Sequence, residues 1–436
     1  MTTRFHLGWF LGNGFGVQGW NRPGFGHNYP MWGPELFQDA VRILERGRFD
    51  MMILEDSSMV PDVYGGSPDF YLKHAIMAPK LDPVPLVPYL STATSKIGIV
   101  PTLTTTFYPP FLLARLMTTL DHLTRGRIGW NIVTSTSSLS AANYGMELPQ
   151  HDERYDMADE FVELVRKLWE SWEPGATVLD PETNTAFDGS KVHRINFEGK
   201  YYKSRGPLNA VPGPQGRPVF VQAGGSPRGR EFAAKNAETI IADCATTEEM
   251  KNYRHDVRAR MVAHNRAPGS CKVMFTAGII LGDTEDEAKA KADAAREASA
   301  ANAEMMLAGL ATITGIDFST WDLDAPIPDL ATNGSQSSLA GFLRGAPEGA
   351  SLREVLESKK TVGIMGYPFI GTAEQIADQM GEVMADVGGD GFLLSGPLRP
   401  GYLSQIVDRV VPALQRRGLV RTEYEHDTFR ENLMEF

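Results

Sequence analysis

The sequence predicts a (β/α)8 TIM barrel, an α/β fold in which eight parallel strands alternate with helices, here with insertions. Eight short runs are apolar throughout rather than alternating, which is typical of buried parallel strands. Eight further stretches carry apolar residues at helical spacing. The chain has 436 residues, and a plain barrel takes about 250. A doubly wound open sheet is the structural alternative.

The elements alternate along the chain. The predicted strands are residues 5–10, 49–54, 97–103, 127–133, 218–222, 238–242, 272–281 and 391–394. The predicted helices are residues 34–46, 110–123, 154–172, 228–236, 246–265, 284–308, 372–387 and 402–417. Start signals support two helices, because Asp283 precedes an acidic first turn and Thr372 stands three residues before Gln375, as in a capping box.

The residues in excess of a plain barrel are expected in insertions. Three stretches are punctuated by Gly, Pro or polar residues, near 64–84, 173–216 and 308–366. No internal repeat or linker divides the chain, so we expect a single domain spanning residues 1–436.

Composition narrows the class of protein. The formal net charge is −12 and basic residues do not cluster, which argues against nucleic-acid binding and against attraction to anionic membranes. No apolar run approaches the ~20 residues of a membrane helix, and residues 1–10 lack a signal-peptide core. Two cysteines, Cys244 and Cys271, fit a reducing compartment. We therefore expect a cytoplasmic enzyme.

Candidate functional residues follow from the barrel itself, because chemistry in this fold belongs at the carboxyl ends of the strands. These ends are polar and often contain glycine. They hold Glu55 and Asp56, the run from Thr104 to Tyr108, Asn131 with Thr134 and Ser135, the run from Gln222 to Ser226, and Ser395 with Gly396. The alternative interpretation of each is an ordinary turn between a strand and a helix.

Two patterns could bind phosphate. Gly224 and Gly225 allow close approach to the backbone, and Ser226 opens a helix whose free N–H groups suit an anion. The alternative is a glycine turn with Ser226 as a plain N-cap. His151 and Tyr155 are four residues apart and share a helix face if the helix has begun. They could equally form part of an ordinary helix start.

Other chemistries find little support. The nine histidines are scattered without metal-ligand spacing, so no metal site is predicted. No Gly-x-Ser-x-Gly motif is present, and the glycines after the first strand lack the Rossmann spacing.

Six segments, in this order, carry a family resemblance: LERGRFDMMILED (44–56), ARLMTTLDHLTRGRIGWNIVTS (114–135), HDERYDMADEF (151–161), QGRPVFVQAGGSPRGREFAAKNAE (215–238), GTAEQIADQM (371–380) and VVPALQRRGLVRTEYE (410–425). Across nearly the whole chain they resemble the flavin-dependent monooxygenases of the bacterial luciferase-like superfamily. The closest resemblance is to the nitrilotriacetate, EDTA, dibenzothiophene-sulfone and pristinamycin-precursor branch.

The resemblance implies reduced FMN, delivered by a separate NAD(P)H:flavin reductase, and O2 as co-substrates. It implies oxygenation of a small organic substrate through a flavin C4a-(hydro)peroxide. A lid drawn from residues 308–366 could exclude water, since barrel enzymes can close a loop over the site. It also implies that the FMN site is lined by Asp56, Thr104, Asn131, His151, Tyr155 and Ser226. Ser226 and Tyr155 would lie towards the phosphate, and the first three towards the ring and ribityl chain.

One departure concerns the proton donor. Several members carry His-x-x-His-Gly-x-Trp-Arg after the first strand, but Phe15 and Gln18 replace both histidines here, while Gly19 and Arg22 match. The donor must lie elsewhere, and the catalytic candidates are His151 and Gln18, with His27 as a third.

The substrate and the assembly are expectations of the same kind. The loop after the first strand would suit an apolar or aromatic substrate, or its aromatic residues merely pack the end of the barrel; they are Phe10, Phe15, Trp20, Phe25, Tyr29 and Trp32. A deazaflavin-dependent oxidoreductase and a degenerate flavin-binding protein are the alternatives in function. The apolar tail after residue 418 is expected to be buried either on its own barrel or on a neighbouring subunit. With the family's homo-oligomers as a guide, we predict a homodimer or homotetramer that uses this tail.

Overall fold

The computed structural model describes residues 4–20, 29–358 and 366–436. Eight parallel strands, numbered in chain order, form a closed barrel. The first strand pairs with both the second and the eighth, and the sixth pairs with both the fifth and the seventh, so the barrel has no open edge. The strands are β1 His6–Leu11, β2 Met51–Leu54, β3 Gly98–Thr104, β4 Gly129–Val133, β5 Val219–Gln222, β6 Thr239–Ala242, β7 Lys272–Leu281 and β8 Gly391–Ser395. The predicted (β/α)8 TIM barrel is confirmed, and the open sheet is excluded by the closure.

Eight helices surround the strands. They are α1 Glu35–Arg46, α2 Leu86–Ala93, α3 Pro110–Leu123, α4 His151–Trp169, α5 Pro227–Asn236, α6 Thr247–Ala263, α7 Ala373–Val387 and α8, which runs from Pro400–Gln405 through the π-helical Ile406–Val410 to Val411–Arg416. The predicted capping box of Thr372 and Gln375 is present at the start of α7. The pattern at 284–308 is resolved into two helices, Glu285–Ala301 and Ala303–Thr314.

The remaining elements are not among the eight barrel strands and the eight helices around them. The helices and helical turns are Tyr64–Gly66, Asp69–His74, Ser138–Asn143, Gly189–Lys191, Pro268–Ser270, Gln336–Leu343, Leu352–Ser358 and Phe429–Leu433. The strands are Phe15–Gly16, Lys80–Leu81, Thr177–Asp180, Thr185–Phe187, Phe197–Glu198, Lys203–Ser204 and Tyr367–Gly371, the last paired with the second half of β7. Residues 359–365 of the predicted third insertion lie outside the described residues. The single domain with three insertions stays a prediction.

The apolar core has three parts. One fills the inside of the barrel with residues such as Met51, Val100 and Met274. A much larger one lies between the strands and the surrounding helices. The third belongs to the helices that follow residue 303, and it packs against residues of the β2–α2 connection such as Val63 and Tyr64. That packing holds these extra helices beside the barrel.

The tail of the chain closes the amino end of the barrel. Phe429 and Leu433 are 1% and 0% exposed and belong to the core inside the barrel. Beside them Arg421 Nη2 donates to Asp50 Oδ1 at 2.7 Å. Of the two predicted ways of burying this apolar tail, Phe429 and Leu433 take the first, because their own barrel buries them. Homo-oligomerisation stays a prediction without that support.

Candidate active site

The carboxyl ends of the eight strands meet at one end of the barrel, which we call the mouth. In this fold, side chains at the mouth carry the chemistry. Asp56 follows β2, Thr104 ends β3, Asn131 lies in β4 and Ser226 follows β5. The residues predicted from strand ends are therefore all at the mouth.

Tyr155 and Ser226 lie together at the first turn of α5. Ser226 is the N-cap of that helix, and its Oγ accepts a hydrogen bond from the Gly229 backbone N–H at 3.0 Å. A Cβ atom on Gly229 would lie 2.7 Å from the Tyr155 hydroxyl oxygen and 3.1 Å from Ser226 Oγ, so only glycine fits here. Burial raises the pKa of Tyr155, and Ser226 and Thr134 lie close enough to its hydroxyl to oppose that shift. Two hydroxyls thus flank a helix N-terminus, an arrangement that suits a phosphate.

The glycine turn before Ser226 is closely packed. A Cβ atom on Gly225 would lie 2.5 Å from the Ser337 Cβ atom. The Tyr253 hydroxyl donates to the Gly224 carbonyl oxygen at 2.5 Å and holds the turn. Ser337 belongs to the helix Gln336–Leu343, so the predicted lid reaches the same turn.

Two further contacts attach this lid to the barrel. Arg154, which is 1% exposed, donates from Nη1 to Asn333 Oδ1 at 3.0 Å and from Nη2 to the Asn333 carbonyl oxygen at 2.8 Å. On the other side, the buried Tyr71 hydroxyl donates to the Ala308 carbonyl oxygen at 3.0 Å. The lid is thus attached to both α4 and the β2–α2 connection.

His151 lies in the first turn of α4, because this helix begins three residues before the predicted residue 154. Its ring packs edge-on against Tyr155 with centroids 5.3 Å apart, so the two share a face as their spacing predicted. Its Nδ1 lies 2.7 Å from Asp152 Oδ1. That carboxylate holds the orientation of the ring.

Asn131 carries an unpaired acceptor inside the barrel. Its Nδ2 donates to Thr102 Oγ1 at 2.8 Å, whereas its buried Oδ1 has no hydrogen-bond partner among the described residues. Thr104 lies on the adjacent strand and its Oγ1 accepts from the Thr106 backbone N–H at 3.1 Å. A buried amide oxygen without a partner is costly, so a ligand that donates a hydrogen bond fits this position.

Asp56 and Gln18 lie on the other side of the mouth. Next to Asp56, Lys80 Nζ lies 2.5 Å from Glu55 Oε2 and 3.0 Å from Ser57 Oγ. Gln18 Nε2 donates to the carbonyl oxygens of Gly14 and Gly16 at 3.2 and 3.4 Å, within its own loop. Arg22, Phe25 and His27 lie outside the described residues.

The predicted residues therefore form two groups. His151, Tyr155 and Ser226 are in one group, near β4 and β5, whereas Asp56 is in the other, near β1 and β2. No hydrogen bond between described residues joins the groups. Sequence reasoning missed Lys80, Arg154 and Ser337. The sequence gives no signal for them. Lys80 and Ser337 come from segments interpreted as insertions, far in the chain from the strand ends, and Arg154 has the pattern of a helix-surface residue.

A cavity of about 650 Å³ lies away from these groups, near the amino end of the barrel. Trp169, Trp172, Gln215 and Arg430 are among the residues that line it, and no predicted site residue does.

In the part of the chain that the structure describes, no cluster of three metal-ligating side chains is present. No helix of that part is long and apolar enough to cross a membrane.

A closed (β/α)8 barrel with hydroxyl, amide and carboxylate side chains at the carboxyl ends of its strands has the architecture of an enzyme. The model of the luciferase-like monooxygenase family matches residues 25–391. The dimethyl-sulfide monooxygenase of Hyphomicrobium sulfonivorans is 38% identical over 405 residues, 92% of this chain and 83% of that protein. Nitrilotriacetate monooxygenase component A of Aminobacter aminovorans is 38% identical over 411 residues, covering 92% and 89%.

A solved structure is also similar over the whole chain. A riboflavin lyase, crystallised with modified FMN and riboflavin, has a TM-score of 0.91 relative to this fold, with 34% identity and coverage of 100% of this chain and 96% of that one. The chain therefore belongs to the luciferase-like monooxygenase family. Its class of reaction is that of a monooxygenase.

Proposed function

We propose that this chain is the oxygenating component of a two-component monooxygenase. It would use reduced FMN, delivered by a separate NAD(P)H:flavin reductase, and O2 to oxygenate a small organic substrate. The similarity to known proteins supports this proposal, since one relative is a monooxygenase component and another was crystallised with a modified FMN. A deazaflavin-dependent oxidoreductase remains the alternative that product analysis distinguishes.

The observation that carries the proposal is the fit of the mouth to FMN. The Ser226 and Tyr155 hydroxyls at the N-terminus of α5 suit the phosphate, and Gly224 and Gly225 leave the backbone accessible beside them. The unpaired Asn131 Oδ1 suits an N–H or O–H donor of the ring or ribityl chain. We assign Thr104, Asp56 and His151 to the same site.

Ser226, Tyr155 and the residues of the lid bind and shield rather than react. Bound reduced FMN supplies the electrons that activate O2, and the protein positions the substrate against it. Ser226 Oγ accepts the Gly229 backbone N–H, so the Ser226 hydroxyl proton is free to be donated to a phosphate oxygen. Ser337 and Asn333 of the lid lie against Gly225 and Arg154, where a closed lid excludes water from the mouth.

The substrate that we propose is apolar or aromatic. Phe10 and Phe15 are partly buried near the first strand, and Trp20 and Trp32 are each 47% exposed. Acids outnumber bases on that side of the mouth, where Glu55 and Asp56 share Lys80. An anionic chelator would find little attraction there.

Titration of FMN tests the site directly. The double variant Ser226→Ala/Tyr155→Phe should lose about 1–3 kcal/mol of FMN binding, the range for hydrogen bonds to a charged group. Thr284→Ala is the matched control, since Thr284 N-caps a helix outside the barrel in the same way. Unchanged FMN affinity in the double variant would remove the phosphate assignment.

A substrate panel tests the reaction. Dimethyl sulfide, thioanisole and hexadecane are incubated with the protein, O2 and reduced FMN from a generic reductase, and the products are read by mass spectrometry. We expect one of them to gain an oxygen atom or to be cleaved. Hydride transfer without oxygen incorporation would favour the deazaflavin alternative.

A homodimer or homotetramer also belongs to the proposal. Tyr89 of α2 and Leu112 and Leu123 of α3 are 55%, 50% and 55% exposed. Apolar side chains this exposed on two helices that pack together favour burial against another subunit.

A cytoplasmic location is also part of the proposal, and the free thiols of both cysteines support it.

A further inference from the structure

Glu55 and Asp56 lie beside one lysine at the mouth, and Asp82 lies near Asp56. Glu55 and Asp56 follow β2 directly. Lys80 and Asp82 come from the next connection, where the short strand Lys80–Leu81 pairs antiparallel with Phe15–Gly16. We call Glu55, Asp56, Lys80 and Asp82 the mouth cluster.

The single cation of the mouth cluster is committed to Glu55. Lys80 Nζ lies 2.5 Å from Glu55 Oε2 and also donates to Ser57 Oγ, and the Lys80 side chain is only 3% exposed. Asp56 forms no ion pair with any residue in the ranges 4–20, 29–358 and 366–436. The Ser57 backbone N–H and the more distant Lys80 favour its charged form, but more weakly than its surroundings oppose it.

Burial raises the pKa of Asp56 to about 7, with further contributions from the charges of Glu55 and Asp82. Among the described residues, the β3–α3 connection also faces Asp56, through Tyr108. Burial, Asp82 and Asp56 together raise the pKa of Tyr108, so this phenol stays neutral. Asp56 is thus the group of this cluster that can exchange a proton near neutral pH.

Oxygenation needs such a group. Inserting one atom of O2 into a substrate and reducing the other to water consumes two electrons and two protons. Reduced FMN bound as its monoanion brings both electrons but only one proton. Phe15 and Gln18 stand where related sequences carry histidines, and neither side chain can supply the second proton at neutral pH.

We propose that Asp56 is the proton donor of the oxygenation step, an inference that rests on the proposed function. Asp56 in its acid form gives its proton to the oxygen atom that leaves as water. The carboxylate then recovers a proton from solvent through the partly exposed mouth. Lys80 acts as a positioning residue, because it holds Glu55 and leaves Asp56 without a cation of its own.

The test compares Asp56→Asn with Asp56→Glu and with Asp62→Asn, an exposed carboxylate of the same connection. We expect Asp56→Asn, assayed at FMN concentrations that saturate the variant, to lose product by about a hundredfold or more, the lower end for general acid catalysis. The oxygen that it consumes should appear as hydrogen peroxide. Asp56→Glu should recover part of the product, and Asp62→Asn should resemble wild type.

Two pH measurements complete the test. Product formation by wild type should fall as the pH rises above about 7, since the acid form is then lost. In flavin-free protein with 13C-labelled aspartate, one carboxyl resonance should titrate near 7 and be absent from Asp56→Asn. A resonance that titrates near the ordinary aspartate value overturns the inference, whatever the substrate.

The remaining outcomes separate the two proposals. Product formation by Asp56→Asn equal to wild type overturns the inference and leaves the proposed function intact. A parallel loss of FMN affinity and product shows that Asp56 is a binding residue only. Failure of the wild-type protein to bind reduced FMN overturns the proposed function and this inference with it.

Discussion

The Phe429 side chain should be the main support of the closed end of the barrel. It is 1% exposed, and its ring occupies space that two glycines leave free: a Cβ atom would lie 2.6 Å from the ring if placed on Gly98 and 3.1 Å if placed on Gly129. Phe429→Ala removes a fully buried ring from a site that the closed sheet cannot collapse to fill. We therefore expect a loss of about 3–5 kcal/mol in the free energy of unfolding.

Urea denaturation followed by tryptophan fluorescence measures this loss. Phe187→Ala is the control, since that ring is 44% exposed on a hairpin and its removal should change the unfolding free energy by about 0.5 kcal/mol or less. A Phe429→Ala loss as small as that of the control would refute the account of the tail.

A second variant tests the same contact from the other side. Gly98→Ala should destabilise the protein by about 1–3 kcal/mol, because the new methyl group meets the Phe429 ring. In the Phe429→Ala background the same methyl group enters empty space, and its cost should fall. Equal costs of Gly98→Ala in the two backgrounds would show that the ring does not occupy this space.

Three further predictions concern charge, the lid and the partner enzyme. Burial acts to raise the pKa of Glu238, but Arg217 and Arg430 outweigh burial and lower this pKa to about 2. The contribution of the Glu238 carboxylate to stability is therefore complete above the ordinary glutamate pKa and should be lost as the pH falls towards 2. Glu238→Gln should not show this loss. Arg154→Met removes the bonds to Asn333 and should raise hydrogen peroxide release relative to product, measured by a coupled peroxidase assay. The isolated protein with FMN should not oxidise NADH, and robust loss of NADH absorbance would contradict the two-component proposal.

The strands were predictable because each has a simple physical cause. Runs such as residues 49–54 and 272–281 are apolar on both faces, since one face fills the barrel and the other packs against helices. The strand Tyr367–Gly371 was not predictable. It pairs only with the far half of β7, and a proline and two glycines in and beside it hide its strand pattern. Tertiary pairing, not local propensity, creates it.

The candidate site was predictable in part, for a similar reason. The rule that chemistry lies at strand ends selected Asp56, Asn131 and Ser226 from the sequence. It could not select Lys80, because this residue reaches the mouth through a two-residue strand that only the folded chain aligns with Phe15–Gly16. Nor could it show that the tail turns back into its own barrel, because apolar spacing does not reveal which surface will cover it.

Asp50 and Glu238 at the closed end differ from Glu55 and Asp56 at the mouth in the number of basic side chains beside them. At the closed end Asp50 is buried with His6 and Arg421, which outweigh its burial and lower its pKa, and Glu238 has two arginines. At the mouth Glu55 and Asp56 share Lys80, and burial prevails: the pKa of each is raised. Fully paired carboxylates stabilise the fold and stay charged. Carboxylates short of cations cost stability, a cost that proteins tend to retain where a proton must be held and released. On the proposal that Asp56 donates the proton, the shortage of basic partners at the mouth is what lets this carboxyl hold a proton near neutral pH.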